Sequence, residues 1–256
     1  MRLSVLVPVY NERHTVGSVI AAVSHALPAV DKQIVLIDDG SQDGTGSFLR
    51  ESLGSASGRY RPVTFEDGSL RLEAACETDT GVVTFHVGFH ERNRGKGAAV
   101  RTAMLAATGD VIVIQDADLE YDPNDWAQMY ALIADKKVAD VVYGSRFYGR
   151  PHRSLFFHHF LANRLLSLLF NLMYNQTLSD VEVCYKMFTR DVMESLALTA
   201  DDFGIEIEIS SQIALNRKLR IYELGISYYG RTYGEGKKIN WKDGIKALWY
   251  LVKYRV

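Results

Sequence analysis

Leu3–Val9 (LSVLVPV) is an unbroken apolar, β-branched run, the pattern of a strand buried on both faces of a sheet. Thr15–Ala26 switches to helical spacing, Gln33–Ile37 returns to a strand that ends in Asp38-Asp39-Gly40-Ser41, and Gly44–Ser52 is helical again. Strand, helix and strand in that order predict a parallel sheet with right-handed crossovers. The rhythm breaks over Gly54–Gly81, rich in Gly and Ser and then in charge, which reads as an inserted loop or hairpin. It resumes with a strand at Val82–Val87, an Ala-rich helix at Gly95–Ala107, a strand at Asp110–Gln115, a helix at Asn124–Asp135 and a strand at Ala139–Tyr143. The remainder is mixed: an amphipathic helix at Leu155–Tyr174, a strand near Cys184–Phe188, a helix at Glu206–Asn216, a strand at Arg220–Ser227 and a terminal helix from Trp241. With no internal repeat and no low-complexity linker, one continuous α/β domain over residues 1–256 is the simplest division.

Composition narrows the class. Hydrophobic residues make up 47% and charged residues 23%, as in an ordinary folded domain. A net charge of −2 removes the bulk electrostatic case for nucleic acid as a partner. Two cysteines, Cys76 and Cys184, cannot build a disulfide framework, so a reduced compartment is expected. The most apolar stretch, Ser154–Leu178, is interrupted by Arg164 and diluted by Asn163, Asn171, Asn175 and two histidines. A bilayer span needs about 20 mostly apolar residues, so this stretch reads as a buried or interfacial helix. Met1–Tyr10 reads as a strand rather than a signal peptide.

The strongest chemical signal is Asp116-Ala117-Asp118 at the end of an apolar strand. Two carboxylates there repel each other unless a cation lies between them. Hard oxygen ligands suit Mg²⁺ or Mn²⁺ bound together with a phosphate, and Glu120 can add a third oxygen directly or through water. The plainer alternative is an acidic turn capping the next helix. Asp38 and Asp39 end another strand of the same sheet, the edge where open α/β sheets bind ligands. Lys96, between Gly95 and Gly97, can meet a phosphate where backbone approaches closely. Gly40–Gly46 does not follow G-x-G-x-x-G, and Gly95-Lys96-Gly97 lacks the Ser or Thr of a P-loop, so dinucleotide and ATPase readings fail on spacing. His86 and His90 suit a surface or packing role more than zinc, and Cys184 suits a buried, inert position.

Five ordered motifs carry a family resemblance. They are Val7-Pro8-Val9-Tyr10-Asn11-Glu12, Ile37-Asp38-Asp39-Gly40-Ser41, Asn93-Arg94-Gly95-Lys96-Gly97, Gln115-Asp116-Ala117-Asp118-Leu119-Glu120 and Tyr143-Gly144-Ser145-Arg146-Phe147. Together with Ser179–Lys186, Tyr229-Gly230-Arg231 and Glu235–Lys238, the chain resembles the family 2 glycosyltransferases, in the dolichyl-phosphate mannose/glucose synthase-like branch. It departs from that branch in the 54–81 insertion, in lacking the membrane helices of some members, and in Glu120, where many synthases have Gln.

The resemblance implies a GT-A type, Rossmann-like domain with a mostly parallel central sheet, a nucleotide-sugar half over 1–122 and an acceptor half over 123–256. It places Pro8, Tyr10 and Glu12 against the nucleoside and ribose, Asp38 and Asp39 at the base, and Lys96 at the diphosphate. Asp116 borders ribose and metal, Asp118 ligates the metal, and Glu120 joins that set. Arg146 faces an acceptor phosphate, with Arg164 and Ser167 in the same subsite. Arg231 and Lys237 belong to a C-terminal segment that closes over the phosphates, and Asp118, Arg146 and Arg231 carry the catalysis.

The implied reaction is inverting, Mg²⁺- or Mn²⁺-dependent transfer of mannose or glucose from GDP-mannose or UDP-glucose to a polyprenyl (dolichyl-type) phosphate. Such a phosphate, with a second pKa near ~6, is largely a dianion at pH 7 and needs an orienting arginine rather than a general base. Three rivals stay open: a family 2 enzyme with a saccharide or other hydroxyl acceptor, a sugar nucleotidyltransferase, and a non-catalytic nucleotide-sugar-binding scaffold. Leu155–Tyr174 and the terminal helix mix aromatic, aliphatic and basic residues, as in a helix lying on a membrane surface, meeting a small membrane partner or packing in an oligomer. A peripheral position on the cytosolic face of a membrane is the expectation.

Overall fold

The computed structural model describes residues 1–55, 62–64, 70–78, 81–149, 151–154, 156–232, 234 and 241–255. Its strands are β1 (Leu3–Val9), β2 (Lys32–Asp38), β3 (Pro62–Thr64), β4 (Leu70–Thr78), β5 (Gly81–Phe89), β6 (Val111–Ile114), β7 (Val141–Ser145), β8 (Lys186–Thr189) and β9 (Ile221–Gly225). They form one sheet in the order β3-β4-β5-β2-β1-β6-β8-β7-β9. β5, β2, β1 and β6 are mutually parallel, and so are β7 and β9. β4 and β8 run against their neighbours, which leaves the sheet mostly parallel in direction. The hairpin reading of the insertion is met by β3 and β4, which extend the edge beyond β5. Only residues 79–80 separate β4 from β5, too few for the crossover that a parallel pair requires.

The helices are α1 (Val16–His25), α2 (Thr45–Ser55), α3 (Lys96–Ala106), α4 (Trp126–Tyr130), α5 (Phe157–Tyr174), α6 (Arg190–Ser195), α7 (Ile205–Leu215) and α8 (Trp241–Lys253). The helix expected at Asn124–Asp135 is a composite. A 3-10 turn at Pro123–Asp125 leads into α4, which ends in a π-helical turn at Ala131–Asp135. β1 shows why its sequence is apolar without alternation: Leu3, Val5, Leu6 and Val7 are all fully buried, because helices cover both faces of the sheet centre. Lys32, at the start of β2, is also buried. Its ammonium donates to the Ala26 and Leu27 carbonyls at the end of α1, at 2.6 and 3.0 Å, and satisfies groups the helix leaves open.

α5 departs from an ordinary surface helix. It buries only Leu166, Ser167, Phe170 and Tyr174. Phe157, Phe160, Leu161, Leu165, Leu168 and Leu172 are exposed. Its last turn is tied to α8, where the Tyr174 hydroxyl donates to the Leu251 carbonyl at 3.0 Å. On α8, Leu248, Trp249 and Val252 are also exposed. No helix among the described residues is long and apolar enough to cross a membrane.

Candidate active site

Because β1, β2 and β6 are parallel, their carboxyl ends share one edge of the sheet. Tyr10–Glu12, Asp38-Asp39 and Gln115–Glu120 therefore converge there, although up to about a hundred residues separate them in sequence. The loop after β1 is fixed to the loop after β2. Asn11 N–H donates to Ser41 Oγ at 2.8 Å, and Glu12 N–H to Thr45 Oγ1 at 3.1 Å. Thr15 Oγ1 lies 2.7 Å from both Glu12 Oε2 and the Ala117 carbonyl, which joins the β1 and β6 loops.

At the centre is a carboxylate cluster that holds an arginine. Arg231 Nη2 lies 3.0 Å from Asp118 Oδ2 and 3.4 Å from Glu12 Oε1, and Arg231 Nε lies 3.4 Å from Glu120 Oε1. Asp118 Oδ1 accepts from Glu120 N–H at 3.1 Å. Burial, reinforced by the like charges of Asp116 and Glu120, pushes the Asp118 carboxyl up to about 7, although Arg231 pulls the other way. One guanidinium thus offsets the carboxylates only in part.

Asp116 belongs to a second chain of charges. Lys96 Nζ lies 2.7 Å from Asp116 Oδ1 and 2.9 Å from Glu206 Oε1. Glu206 also pairs with Lys186, whose side chain is fully buried and donates to the Val183 carbonyl as well. Burial alone would raise the Glu206 carboxyl, but Lys186 and Lys96 reverse it and hold the group below its ordinary range. Motif reading singled out Lys96 and Asp116. It gave no role to their buried partners: Glu206 lies on α7, Lys186 closes the Ser179–Lys186 motif on β8, and nothing in the sequence shows that the two pair.

Gly95 and Gly97 have a structural use. A Cβ at either would sit 2.2 Å from a main-chain oxygen, of Asp201 or Ala200 respectively, and Gly95 has φ +101°. The backbone that approaches them closely is the 200–201 segment of the same chain, where the sequence suggested a phosphate. Asp39 is likewise committed: its oxygens accept from Arg94 N–H at 3.0 Å and Gly95 N–H at 2.7 Å, and lie 2.6 Å from His90 Nδ1. His90 therefore packs inside, as expected, while Asp39 shapes the loop that leads to Lys96. Asp38 is buried beside it, and burial raises its carboxyl pKa. Pro8 and Tyr10 are half-buried at the end of β1.

On the far side, Arg146 makes a two-pronged bond to the fully buried Asp180, Nε to Oδ2 at 2.7 Å and Nη2 to Oδ1 at 2.6 Å. Its guanidinium also lies 5.3 Å from the Tyr228 ring centroid. Glu223 steadies the Asp180 loop by accepting from Ser179 and Asp180 N–H. Beside this pair opens a cleft of about 320 Å³ lined by Tyr148, Arg164, Ser167, Leu168 and Ser179 among others. Arg164 is exposed there, and Ser167 is buried, its hydroxyl accepting from Val181 N–H at 3.2 Å. Arg146 is thus anchored by a buried ion pair, whereas Arg164 is exposed, with one long hydrogen bond from Nη1 to the Ser179 carbonyl at 3.5 Å and the Phe147 ring 5.7 Å away. Lys237 lies outside the described residues.

The glycosyl transferase family 2 model matches residues 4–78 and 67–197, more than half the chain. The chain is a family 2 glycosyltransferase. It is 26% identical over 243 residues to the polyprenol monophosphomannose synthase of Mycolicibacterium smegmatis, an alignment that covers 92% of this chain and 80% of that protein. It is 24% identical to the dolichol-phosphate mannosyltransferase of Pyrococcus furiosus, over 99% of this chain and 64% of that one. Among solved structures, glucosyl-3-phosphoglycerate synthase from Mycobacterium tuberculosis, in complex with Mn²⁺, UDP and phosphoglyceric acid, superposes with a TM-score of 0.66 at 18% identity. That match covers 99% of this chain and 78% of the other, and it establishes the shared GT-A fold.

The family implies a divalent ion. Among the described residues no group of three His, Cys, Asp or Glu side chains is arranged to enclose one. Asp116 and Asp118 still fit the edge of such a site. They are carboxylates on one turn, Asp118 offset only in part by Arg231 and Asp116 paired with Lys96, and able to share an ion with water and a diphosphate.

Proposed function

We propose that this glycosyltransferase moves a hexose, with inversion, from a nucleotide sugar to a polyprenyl phosphate, using Mg²⁺ or Mn²⁺. The observation that carries the reading is the cleft at Arg164. An exposed cation stands there next to the exposed apolar face of α5, a match for a phosphate headgroup on a hydrocarbon tail. The names of the mannosyl-transferring relatives support the same acceptor class.

Asp118 and Asp116 would hold the ion, which when bound supplies charge stabilisation to the diphosphate leaving group. Lys96 balances Asp116 and borders the diphosphate. Pro8, Tyr10, Glu12 and Asp38 line the nucleoside side, and Asp39 acts there through the loop it holds. Arg146, fixed by Asp180, presents a fork of set orientation, and Arg164 with Ser167 receives the acceptor phosphate. Arg231 spans both halves of the site. The phosphate dianion attacks the anomeric carbon directly, so no side chain is required to remove a proton. The surface of α5 and α8 rests against the membrane that carries the lipid.

The test is turnover of GDP-mannose and UDP-glucose with short polyprenyl phosphates under Mg²⁺ and Mn²⁺. A glycosyl phospholipid of inverted anomeric configuration is expected. Transfer confined to saccharide hydroxyls, or retention of configuration, overturns the reading.

A further inference from the structure

Glu120 is held by its own chain at both carboxylate oxygens. Its Oε1 accepts from Arg231 N–H at 2.8 Å, with Arg231 Nε at 3.4 Å, and its Oε2 accepts from the Tyr228 hydroxyl at 2.7 Å. Its own carbonyl accepts from Tyr229 N–H at 2.8 Å. One residue after β6 therefore grips Tyr228, Tyr229 and Arg231, and the Tyr121–Tyr228 bridge lies alongside. We infer that Glu120 is a positioning residue for Arg231, holding the main chain of 228–231 in place, rather than the third ligand of the metal. The inference rests on the phosphate-acceptor reading above.

The division of contacts supports this role. The main chain of Arg231 is held by Glu120, whereas the guanidinium tip is held by Asp118 and Glu12 at 3.0 and 3.4 Å. The tip can exchange carboxylate oxygens for phosphate oxygens without moving its backbone, since a guanidinium fork fits either group. Glu120 N–H also donates to Asp118, so the residue that anchors the arginine is tied to the carboxylate that the arginine releases. A carboxylate suits the task because both oxygens accept. A glutamine accepts at one oxygen and meets the tyrosine hydroxyl with its amide, which keeps the main-chain grip and loses the ionic part.

The experiment compares Glu120→Ala, Glu120→Gln and Arg231→Ala, the last also combined with Glu120→Ala, in the full chain. Mn²⁺ affinity is read by electron paramagnetic resonance, and steady-state kinetics are measured with a short polyprenyl phosphate. Glu120→Ala is expected to raise acceptor KM about tenfold, the scale of losing charged hydrogen bonds, with Mn²⁺ affinity within about twofold of the parent. Glu120→Gln, nearly isosteric, is expected to raise KM only about threefold, again with Mn²⁺ affinity kept. It preserves the test if the alanine variant does not fold. In the Arg231→Ala background, Glu120→Ala is expected to add less than about twofold, because the two residues act as one unit. A tenfold fall in Mn²⁺ affinity with unchanged acceptor KM overturns the inference in favour of a metal ligand. Full additivity with Arg231→Ala overturns it as well. An Arg231→Ala enzyme with the parent's acceptor KM overturns the phosphate reading itself, and is recognised because it involves no change at Glu120.

Discussion

The carboxylate cluster and the outer face of α5 solve opposite problems. At the cluster, Glu12, Asp116, Asp118, Glu120 and Glu206 are drawn out of water and set against Lys96, Lys186 and Arg231 at close range. On α5, apolar side chains are left in water, with Phe157 and Leu172 more than 70% exposed. The first arrangement costs desolvation and is recovered by internal pairing. The second has no compensation among the described residues, because the buried stripe of α5, with Phe170 and Tyr174, is the part that faces the body. The contrast separates a part of the enzyme organised around charge from one that presents apolar side chains to solvent.

The largest effect is expected at the charged pole. Asp118→Ala should lower turnover about a thousandfold or more, the scale of removing a group that anchors leaving-group stabilisation, while leaving the melting temperature close to that of the parent. Turnover within tenfold of the parent would remove Asp118 from the chemistry.

Arg146→Ala tests the border between the two regions. It strands Asp180, fully buried, without its cation, so a stability loss of about 3 kcal/mol is expected in urea denaturation, along with lost acceptor use. Arg164→Ala, at an exposed position, should change stability by no more than about 0.5 kcal/mol and raise acceptor KM. Equal stability losses in the two variants would erase the distinction between a buried, ion-paired arginine and an exposed one.

The sheet was legible because its central strands are buried on both faces and their apolar runs stand out. Asp116 and Asp118 were legible because strand ends in such sheets gather ligands. The partners of these residues were not. Glu206, Lys186, Asp180 and Tyr228 come from α7, β8 and the loops beside β8 and β9, and a one-dimensional pattern holds no record of which charge faces which. The antiparallel course of β8 was equally hidden, since a four-residue strand carries too little pattern to reveal its direction. Gly95 and Gly97 were noticed for close backbone approach, but the chain neighbour at 200–201 was not foreseen, because close approach by the chain and by a phosphate leave the same trace in sequence.

A smaller effect is expected from Glu182, in the loop before β8. Burial pushes its carboxyl from an ordinary 4.5 up to about 7; Arg146 opposes the shift and Asp180 and Glu206 add to it. Between those two values the folded protein binds a proton that the unfolded chain has lost, so this group's contribution to stability falls as pH rises from about 4.5 to 7. Glu182→Gln should therefore be more stable than the parent at pH 8, by about 1–3 kcal/mol, and the advantage should vanish near pH 4. Denaturation curves at several pH values measure the difference between the two proteins. A difference that is constant with pH would show that Glu182 ionises normally and that charge pairing extends to it.

The smallest effect is expected on the apolar face, and it tests the comparison from the other side. Leu172 is 72% exposed, so Leu172→Glu should change folding stability by no more than about 0.5 kcal/mol. If α5 rests on a bilayer, the same change removes a side chain worth about 1.5–3 kcal/mol on full burial and adds a charge repelled by anionic lipid. Flotation with anionic vesicles should then show binding at least about tenfold weaker. Turnover of a short, water-soluble acceptor phosphate should stay at the parent's rate, because no residue of the carboxylate cluster has been touched. Unchanged flotation, with the apparent mass in solution halved by the substitution, would mean that a second copy of the chain covers this face. Loss of turnover with the short acceptor would mean that α5 shapes the site directly, and the two regions could no longer be treated as separable.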